Sequence, residues 1–489
     1  MDIDISNDFK EIFEHLIREE MAKSMIPGTS IAIIKENEII YSKSFGAMDL
    51  DSSRPTTLDS MFIIGSTTKS FTALAIMQLV EKGLIALNDP ISKYIPITLG
   101  LENDPITIHH LLNHSSGIPD LSNSRFTYLY QALGLPTAPD ATLEPFISDD
   151  DIYRFINNAK EFVTDKPGTR YYYNNDCYSL LGKIIEKVSG MNYSQYIKEN
   201  ILNPLEMKNS GFPLDPEILA NPNLASCYGV LPGNKKSGKI IKKIPQPNPL
   251  TTSRFLFPAG ALISSVNDMI HYMTMLLNKG EYNGKKIIRS DLLNKMQSPQ
   301  LIEGSLAEEQ LTYRSEYGKT SYGYGFYIVD QFDYKVIKHG GNILGGSADM
   351  ILVPDLKLGI VVLCNTLEGP RFSSESIFGI LIGKNMNEEI PFHVFKNHLE
   401  KLEGEYVTFK GSHKIQIQNR SGTLYLNPIH PTILGPETKA LFPFNNEEKT
   451  PFKYYFPIIN GGKVPVEFEE DSKGQIWLHI ERNKWKKIS

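Results

Sequence analysis

The stretch MFIIGSTTKSFTALAIMQLVEK, residues 61–82, decides how this chain is read. Phe71, Leu74, Ala75 and Leu79 recur at i, i+3 and i+4, which predicts a helix over 66–82 stopped by Gly83. Ser66 falls just before, or in, the first turn of that helix. A helix N-terminus offers unpaired N–H groups and positive partial charge, which suits a nucleophile whose reaction creates an oxyanion. Lys69 stands one turn on, so its amine can reach the Ser66 hydroxyl. A serine hydroxyl needs a base to take its proton. A lysine inside an otherwise apolar helix is desolvated, which lowers its pKa toward that of a useful base. Ser-x-x-Lys alone is short and common, and it equally describes a helix-capping serine followed by a surface lysine.

Working outward, helical spacing over 8–22 puts Phe9, Ile12, Phe13 and Leu16 on one stripe, and 30–35 and 39–45 read as strands around Glu36-Asn37-Glu38. Ser265-x-x-Asp268 opens a helix over 266–279 that ends at Gly280. Residues 336–342 and 347–364 are strand-like, the second run broken by a Pro-Asp turn. Residues 120–165 and 213–253 are polar and proline-rich and read as long excursions. Helices and strands mixed in this way predict a sheet bounded by helix-rich layers, an α/β/α domain over 1–385. Beyond it, period-2 alternation takes over. Ile415 and Ile417 precede a Ser421-Gly422 turn, followed by Leu424 and Leu426; Val466 and Phe468 precede the turn at 471–474, followed by Ile476, Leu478 and Ile480. This predicts a small antiparallel barrel or sandwich over 403–489, reached through a linker at 386–402.

Composition bounds the partners. At 489 residues the chain has room for about two to four domains. With 41% hydrophobic and 22% charged residues, wholesale disorder is excluded. A formal net charge of -6 argues against a nucleic-acid partner, which calls for a basic face. Cys177, Cys227 and Cys364 are odd in number and widely spaced, so neither a disulfide framework nor a thiolate zinc site is expected. His110 and His114 stand at i, i+4 beside His109 but lack the Glu of His-Glu-x-x-His, and the glycines at 340–346 lack a following Gly-Lys-Ser/Thr. No metal or cofactor is therefore expected. The lysines at 235, 236, 239, 242 and 243 read as a solvated loop. The N-terminus MDIDISNDFKEIF has no basic start or apolar stretch, and no run approaches the ~18 apolar residues of a membrane helix. A soluble, cytoplasmic protein is the expectation.

Two further segments carry possible chemistry. In Arg170-Tyr171-Tyr172-Tyr173-Asn174-Asn175, a phenol beside a lysine ammonium can be pushed toward phenolate and act as a base, and the Asn175 amide can orient a lysine or hold a substrate carbonyl. A tyrosine-rich run also packs cores. In Lys338-His339-Gly340-Gly341-Asn342, glycines allow a substrate backbone to approach a strand, and the Asn342 N–H can join that of Ser66 as an oxyanion donor. The same residues also suit a glycine turn closing a hairpin.

Taken in order, these segments resemble the serine β-lactamase and penicillin-binding-protein superfamily, in its class C-type branch of β-lactamases, esterases and D-aminopeptidases. The resemblance extends over residues 20–385 through ITIHHLLNHSSGIPD (106–120), PGTRYYYNNDCYSLLGKIIEKVSG (167–190), NPLEMKNSGF (203–212), PAGALISSVNDM (258–269) and YGYGF (322–326). It implies Ser66 as the acylated nucleophile, Lys69 as its proton partner, and Tyr173 and Asn175 as the family's Tyr-x-Asn element. His339, Gly340 and Gly341 occupy the places of the usual Lys-Thr-Gly, whose lysine and threonine help bind a substrate carboxylate. A histidine is at most partly charged at pH 7 and glycine has no hydroxyl, so the departure implies an esterase, amidase or D-aminopeptidase-like peptidase. A β-lactamase or D-Ala-D-Ala carboxypeptidase is the alternative, and a non-catalytic acyl-binding sensor or scaffold a second. One positive charge fewer near Tyr173 predicts activity rising toward alkaline pH. LEGEYV (402–407) resembles the opening of the lipocalin-like barrel appended to some of these hydrolases, and oligomerisation is left open. Asp349, on the following strand, reads as structural.

Overall fold

The computed structural model describes residue 5 and residues 7–100, 104–121, 148–163, 165–232, 239–246, 253–313, 318–367, 374–429, 436–445, 450–458, 462–480 and 483–489. The chain divides into two compact units, Met1–Phe378 and Gly379–Ser489.

The first unit is built on an eight-stranded antiparallel sheet. Its order is Thr320–Tyr322, Tyr327–Gln331, Tyr334–Ile343, Gly346–Val353, Leu358–Cys364, Gly28–Lys35, Glu38–Asp49 and Arg54–Pro55. The Gly28–Lys35 strand joins the C-terminal strands of the unit to its N-terminal hairpin, pairing Ile31 with Val362 on one side and with Lys43 on the other. Ile31, Ala32, Ile33 and Ile34 are all buried. Burial of alternate residues on both faces requires cover on both sides, and this explains why the strand reads as a continuous apolar run. Ala32 and Ile34 share a core with the helices Thr68–Glu81 and Val266–Leu277. The Pro-Asp turn at 354–356 is a 3-10 turn between the last two long strands.

Three segments differ from the sequence-based expectation. The helix Asn7–Ser24 buries Phe13, Ile17 and Met21, whereas Ile12 is 63% exposed; the inward stripe follows i, i+4 from Phe13, with Phe13 edge-on to Tyr41 at 5.2 Å. Residues 227–244, within an expected excursion, hold a hairpin of Cys227–Pro232 and Lys239–Ile244. Lys243 from it contacts Asp49 at 2.6 Å and Asp51 at 2.8 Å, so this lysine is an ion-pairing strand residue rather than part of a solvated loop. Lys235 and Lys236 lie outside the described residues, as does most of the 120–165 excursion, whose remainder includes the helix Asp149–Asn158.

The second unit is a closed eight-stranded antiparallel barrel in which each strand pairs with the next and the first, Gly404–Val407, pairs with the last, Asn483–Lys487. Closure leaves no unpaired sheet edge. The alternating residues Ile415, Ile417, Leu424, Leu426, Val466, Phe468, Ile476, Leu478 and Ile480 all point into its core together with the fully buried Trp485. Residues 391–402, inside the expected linker, form the helix Pro391–Leu402, and Leu399 and Leu402 belong to the barrel core. Among the described residues no helix is long and apolar enough to cross a membrane.

Candidate active site

Gly65, Ser66 and Thr67 form a 3-10 turn that runs directly into the helix Thr68–Glu81. The turn is pinned by the Thr68 hydroxyl, which donates to the Gly65 carbonyl at 2.7 Å and accepts the Leu262 N–H at 3.1 Å. Gly65 has φ +51°, a conformation glycine adopts without strain. The helix is buried on every side through its first three turns, Lys69 included, while Ser66 keeps contact with solvent. The amphipathic spacing thus understates how deeply this element lies.

The Lys69 Nζ has three neighbours: Ser66 Oγ at 3.0 Å, Asn175 Oδ1 at 2.8 Å and the Ala259 carbonyl at 2.6 Å. Burial pulls its pKa down to about 7. The contact set suits the neutral amine. The amide and carbonyl oxygens can only accept, which uses two N–H bonds and leaves the lone pair facing a hydroxyl that can donate. Asn175 opens the helix Asn175–Ser189, and Asn174 caps it by accepting the Asp176 N–H at 2.7 Å.

Tyr173, in the extended segment before that cap, has Ser66 as a polar neighbour, and the Lys69 Nζ lies 4.9 Å from its ring centroid. Burial, followed by the neighbouring Tyr327, holds its phenol well above the usual tyrosine value against the opposing effect of Ser66. Desolvation therefore favours the protonated phenol, and the expected push toward phenolate does not occur.

The strand Tyr334–Ile343 brings the third segment to the same place. A Cβ on Gly341 would lie 2.0 Å from the Ile64 carbonyl oxygen and 2.7 Å from the Ser66 nitrogen; one on Gly65 would lie 2.7 Å from the Asn342 nitrogen. The strand backbone therefore rests directly on the Gly65–Thr67 turn, and Thr67 Oγ1 donates to the His339 carbonyl at 3.3 Å. Gly341 serves this chain-to-chain approach. Gly340, its neighbour, has room for a Cβ, which would make only ordinary contacts with the Ala348 carbonyl oxygen at 3.7 Å and Asp349 Oδ1 at 3.8 Å.

His339 is buried, and burial with the charge of Lys69 pulls its pKa down to about 3. Its Nδ1 lies 2.6 Å from the Gly340 carbonyl, so Nδ1 carries the proton and Nε2 accepts from the Tyr322 hydroxyl at 3.1 Å. It is a neutral, fully engaged imidazole.

His114, which the sequence presented only as half of a discounted metal pair, holds Tyr173 in place. Its carbonyl accepts the Tyr172 N–H at 2.9 Å and its Nδ1 accepts the Asn174 N–H at 3.1 Å, so it grips both sides of Tyr173. Its ring packs on that of Tyr173 at 4.5 Å and on Tyr322 at 4.9 Å. Burial keeps it uncharged. Its φ of +61° lies in the left-handed region, uncommon for a histidine. The Ala259 carbonyl was equally invisible as a lysine partner, although the segment holding it carried the resemblance.

Known proteins share the sequence family and the fold of this chain. Residues 13–382 match the Beta-lactamase family model, and residues 386–486 match the Pab87 octamerisation domain. The octameric penicillin-binding protein homologue from Pyrococcus abyssi is 32% identical, covering 98% of this chain and 99% of that one with a TM-score of 0.83. EstCE1, a hydrolase with promiscuous acyltransferase activity, shares the fold at 20% identity over 73% of this chain and 94% of its own, with a TM-score of 0.57. Protein flp of Staphylococcus aureus (strain MW2) is 27% identical over 365 residues, 74% of this chain; the match spans only 64% of flp itself. With nearly the whole first unit matched by the family model, and with a serine, a buried lysine and a tyrosine in mutual contact at its centre, the chain belongs to the beta-lactamase family.

Proposed function

We propose that this chain is a serine hydrolase that acts through an acyl-enzyme on small esters, amides or peptides. The observation that carries the reading is the buried Lys69 amine 3.0 Å from Ser66 Oγ, its other two contacts already filled by acceptors. The neutral amine takes the Ser66 proton as Oγ attacks the carbonyl carbon. The Ser66 and Asn342 N–H groups hold the oxyanion. The protonated Tyr173 passes a proton to the leaving group and regains one from Lys69, and the same pair activates the water that releases the acyl group.

Substrate preference follows from the third segment. A neutral His339 beside Gly340 offers a substrate carboxylate no charge at that point, which favours esters and amides over β-lactams or peptide C-termini. The test is a panel of a p-nitrophenyl ester, D-alanine p-nitroanilide and a chromogenic cephalosporin, run with wild type and Ser66→Ala. The ester or anilide should turn over with wild type alone. Wild-type rates retained by Ser66→Ala would refute the mechanism, and preferential cephalosporin hydrolysis would assign a β-lactamase instead. The likeness of the full chain to an octameric homologue supports assembly of this protein into an octamer through its C-terminal barrel.

A further inference from the structure

A cavity of about 400 Å³ opens beside the catalytic constellation, with Tyr173 and Gly340 in its wall. Because the Tyr173 ring lies 4.9 Å from Lys69 Nζ and has Ser66 as a polar neighbour, a molecule in this cavity lies one tyrosine away from the Ser66–Lys69 pair. The rest of the wall is unusual for such a position. It carries Lys338, Asp349 and Glu375, with the rings of Tyr171 and Tyr327.

The charges do not balance. Lys338 is ion-paired with Glu375. Asp349 stands opposite Gly340 in the strand register, and its Oδ2 accepts the Ser374 N–H at 2.7 Å. Its Oδ1 points to the space that a side chain at 340 would fill, 3.8 Å from the Cβ position of Gly340. Among the described residues lining the cavity, two carboxylates therefore share one ammonium. Burial, then the nearby Glu375, raise the Asp349 carboxyl above the usual carboxylate range against the opposing pull of the Ser374 N–H and Lys338, so a second cation beside it would favour its charged form. Carboxylates combined with aromatic faces are the chemistry that receives an organic cation.

We infer that this cavity is a subsite for an ammonium group of the substrate, with Asp349 as the residue that selects it and the Lys338–Glu375 pair as its support. Asp349, Gly340 and the rings of Tyr171 and Tyr327 line one cavity, and Tyr173 is the residue that this cavity shares with the Ser66–Lys69 site. The inference rests on the acyl-transfer reading for its place in a reaction, but the binding it describes can be measured without turnover.

The experiment uses the full chain carrying Ser66→Ala. Titration calorimetry compares D-alaninamide, which bears a free ammonium, with N-acetyl-D-alaninamide, which does not. The ammonium ligand should bind at least about tenfold more tightly, the expectation for one charge-assisted contact. Asp349→Asn keeps an acceptor for the Ser374 N–H and should abolish that preference. Glu375→Gln, which leaves Lys338 uncompensated, should reduce it as well and serves if Asp349→Asn does not fold. Equal binding of the two ligands, binding of neither, or a preference that survives both substitutions would overturn the subsite. Fluorophosphonate labelling of the parent chain reports on Ser66 separately. Labelling without an ammonium preference removes the subsite alone, and a preference without labelling removes the acyl-transfer reading alone.

Discussion

In the proposed mechanism Lys69 acts as a base because of what surrounds it. In water its amine would be protonated at neutral pH; buried, it sits near half-protonation at about pH 7, lowered chiefly by desolvation. In the proposed reaction the active form is the neutral base, so the sign is fixed: kcat/KM should rise as pH climbs through about 7 and level off above it. A pH–rate profile that falls over that interval would place the essential group elsewhere. Lys69→Met should lower kcat by roughly 10²–10⁴-fold and remove the rising limb. The limb follows from the lysine rather than from Tyr173, whose phenol is held protonated by its burial. His114 makes a different prediction. His114→Phe keeps a ring against Tyr173 but strips the acceptor from the buried Asn174 N–H, which costs about 1–3 kcal/mol. Thermal unfolding should show the loss, and kcat should fall more than KM rises, because the tyrosine rather than substrate contacts is displaced. Unchanged kcat would mean that Tyr173 is held without it.

At the scale of elements, the site is a meeting of a strand and a helix start. Two adjacent glycines on that strand do opposite things. Gly341 touches the Ile64–Ser66 backbone so closely that a methyl group would overlap it, while Gly340 has room for one. Gly341→Ala should push strand and turn apart, costing about 1–3 kcal/mol or more and cutting Ser66 labelling by a fluorophosphonate. Gly340→Ala should leave stability within about 0.5 kcal/mol of wild type. Denaturant titration of the two variants separates them, and equal stability would contradict the packing described. No periodicity argument distinguishes these two neighbours, because the difference lies in residues some 275 positions away in the chain.

For the whole molecule, each unit has its own apolar core, so a defect in one need not unfold the other. Trp485 is fully buried at the centre of the barrel core. Trp485→Ala should cost about 3–5 kcal/mol within that unit. Light scattering of wild type should give about eight times the 55.1 kDa chain mass. The variant should give a smaller mass while Ser66 remains reactive to a fluorophosphonate. An octamer that survives with a disrupted barrel would locate assembly elsewhere.

The sequence by itself determined the local elements and the chemical types. Its apolar run predicted the helix behind Ser66, alternation picked out the nine barrel residues that point inward, and the order of short segments carried the resemblance to the family. These are properties of neighbours in the chain, where spacing maps directly onto a helix face or a strand face. Tertiary structure decided the protonation states and the contacts between distant segments. Whether Tyr173 is phenol or phenolate, whether His339 carries charge, and whether Lys69 is a base depend on how much water remains around each group. Likewise, the grip of His114 on Tyr173, the Ala259 carbonyl at Lys69 and the carboxylates beyond Gly340 exist only after folding. Desolvation and long-range contact depend on packing in three dimensions, and the order of residues along the chain does not specify them one position at a time.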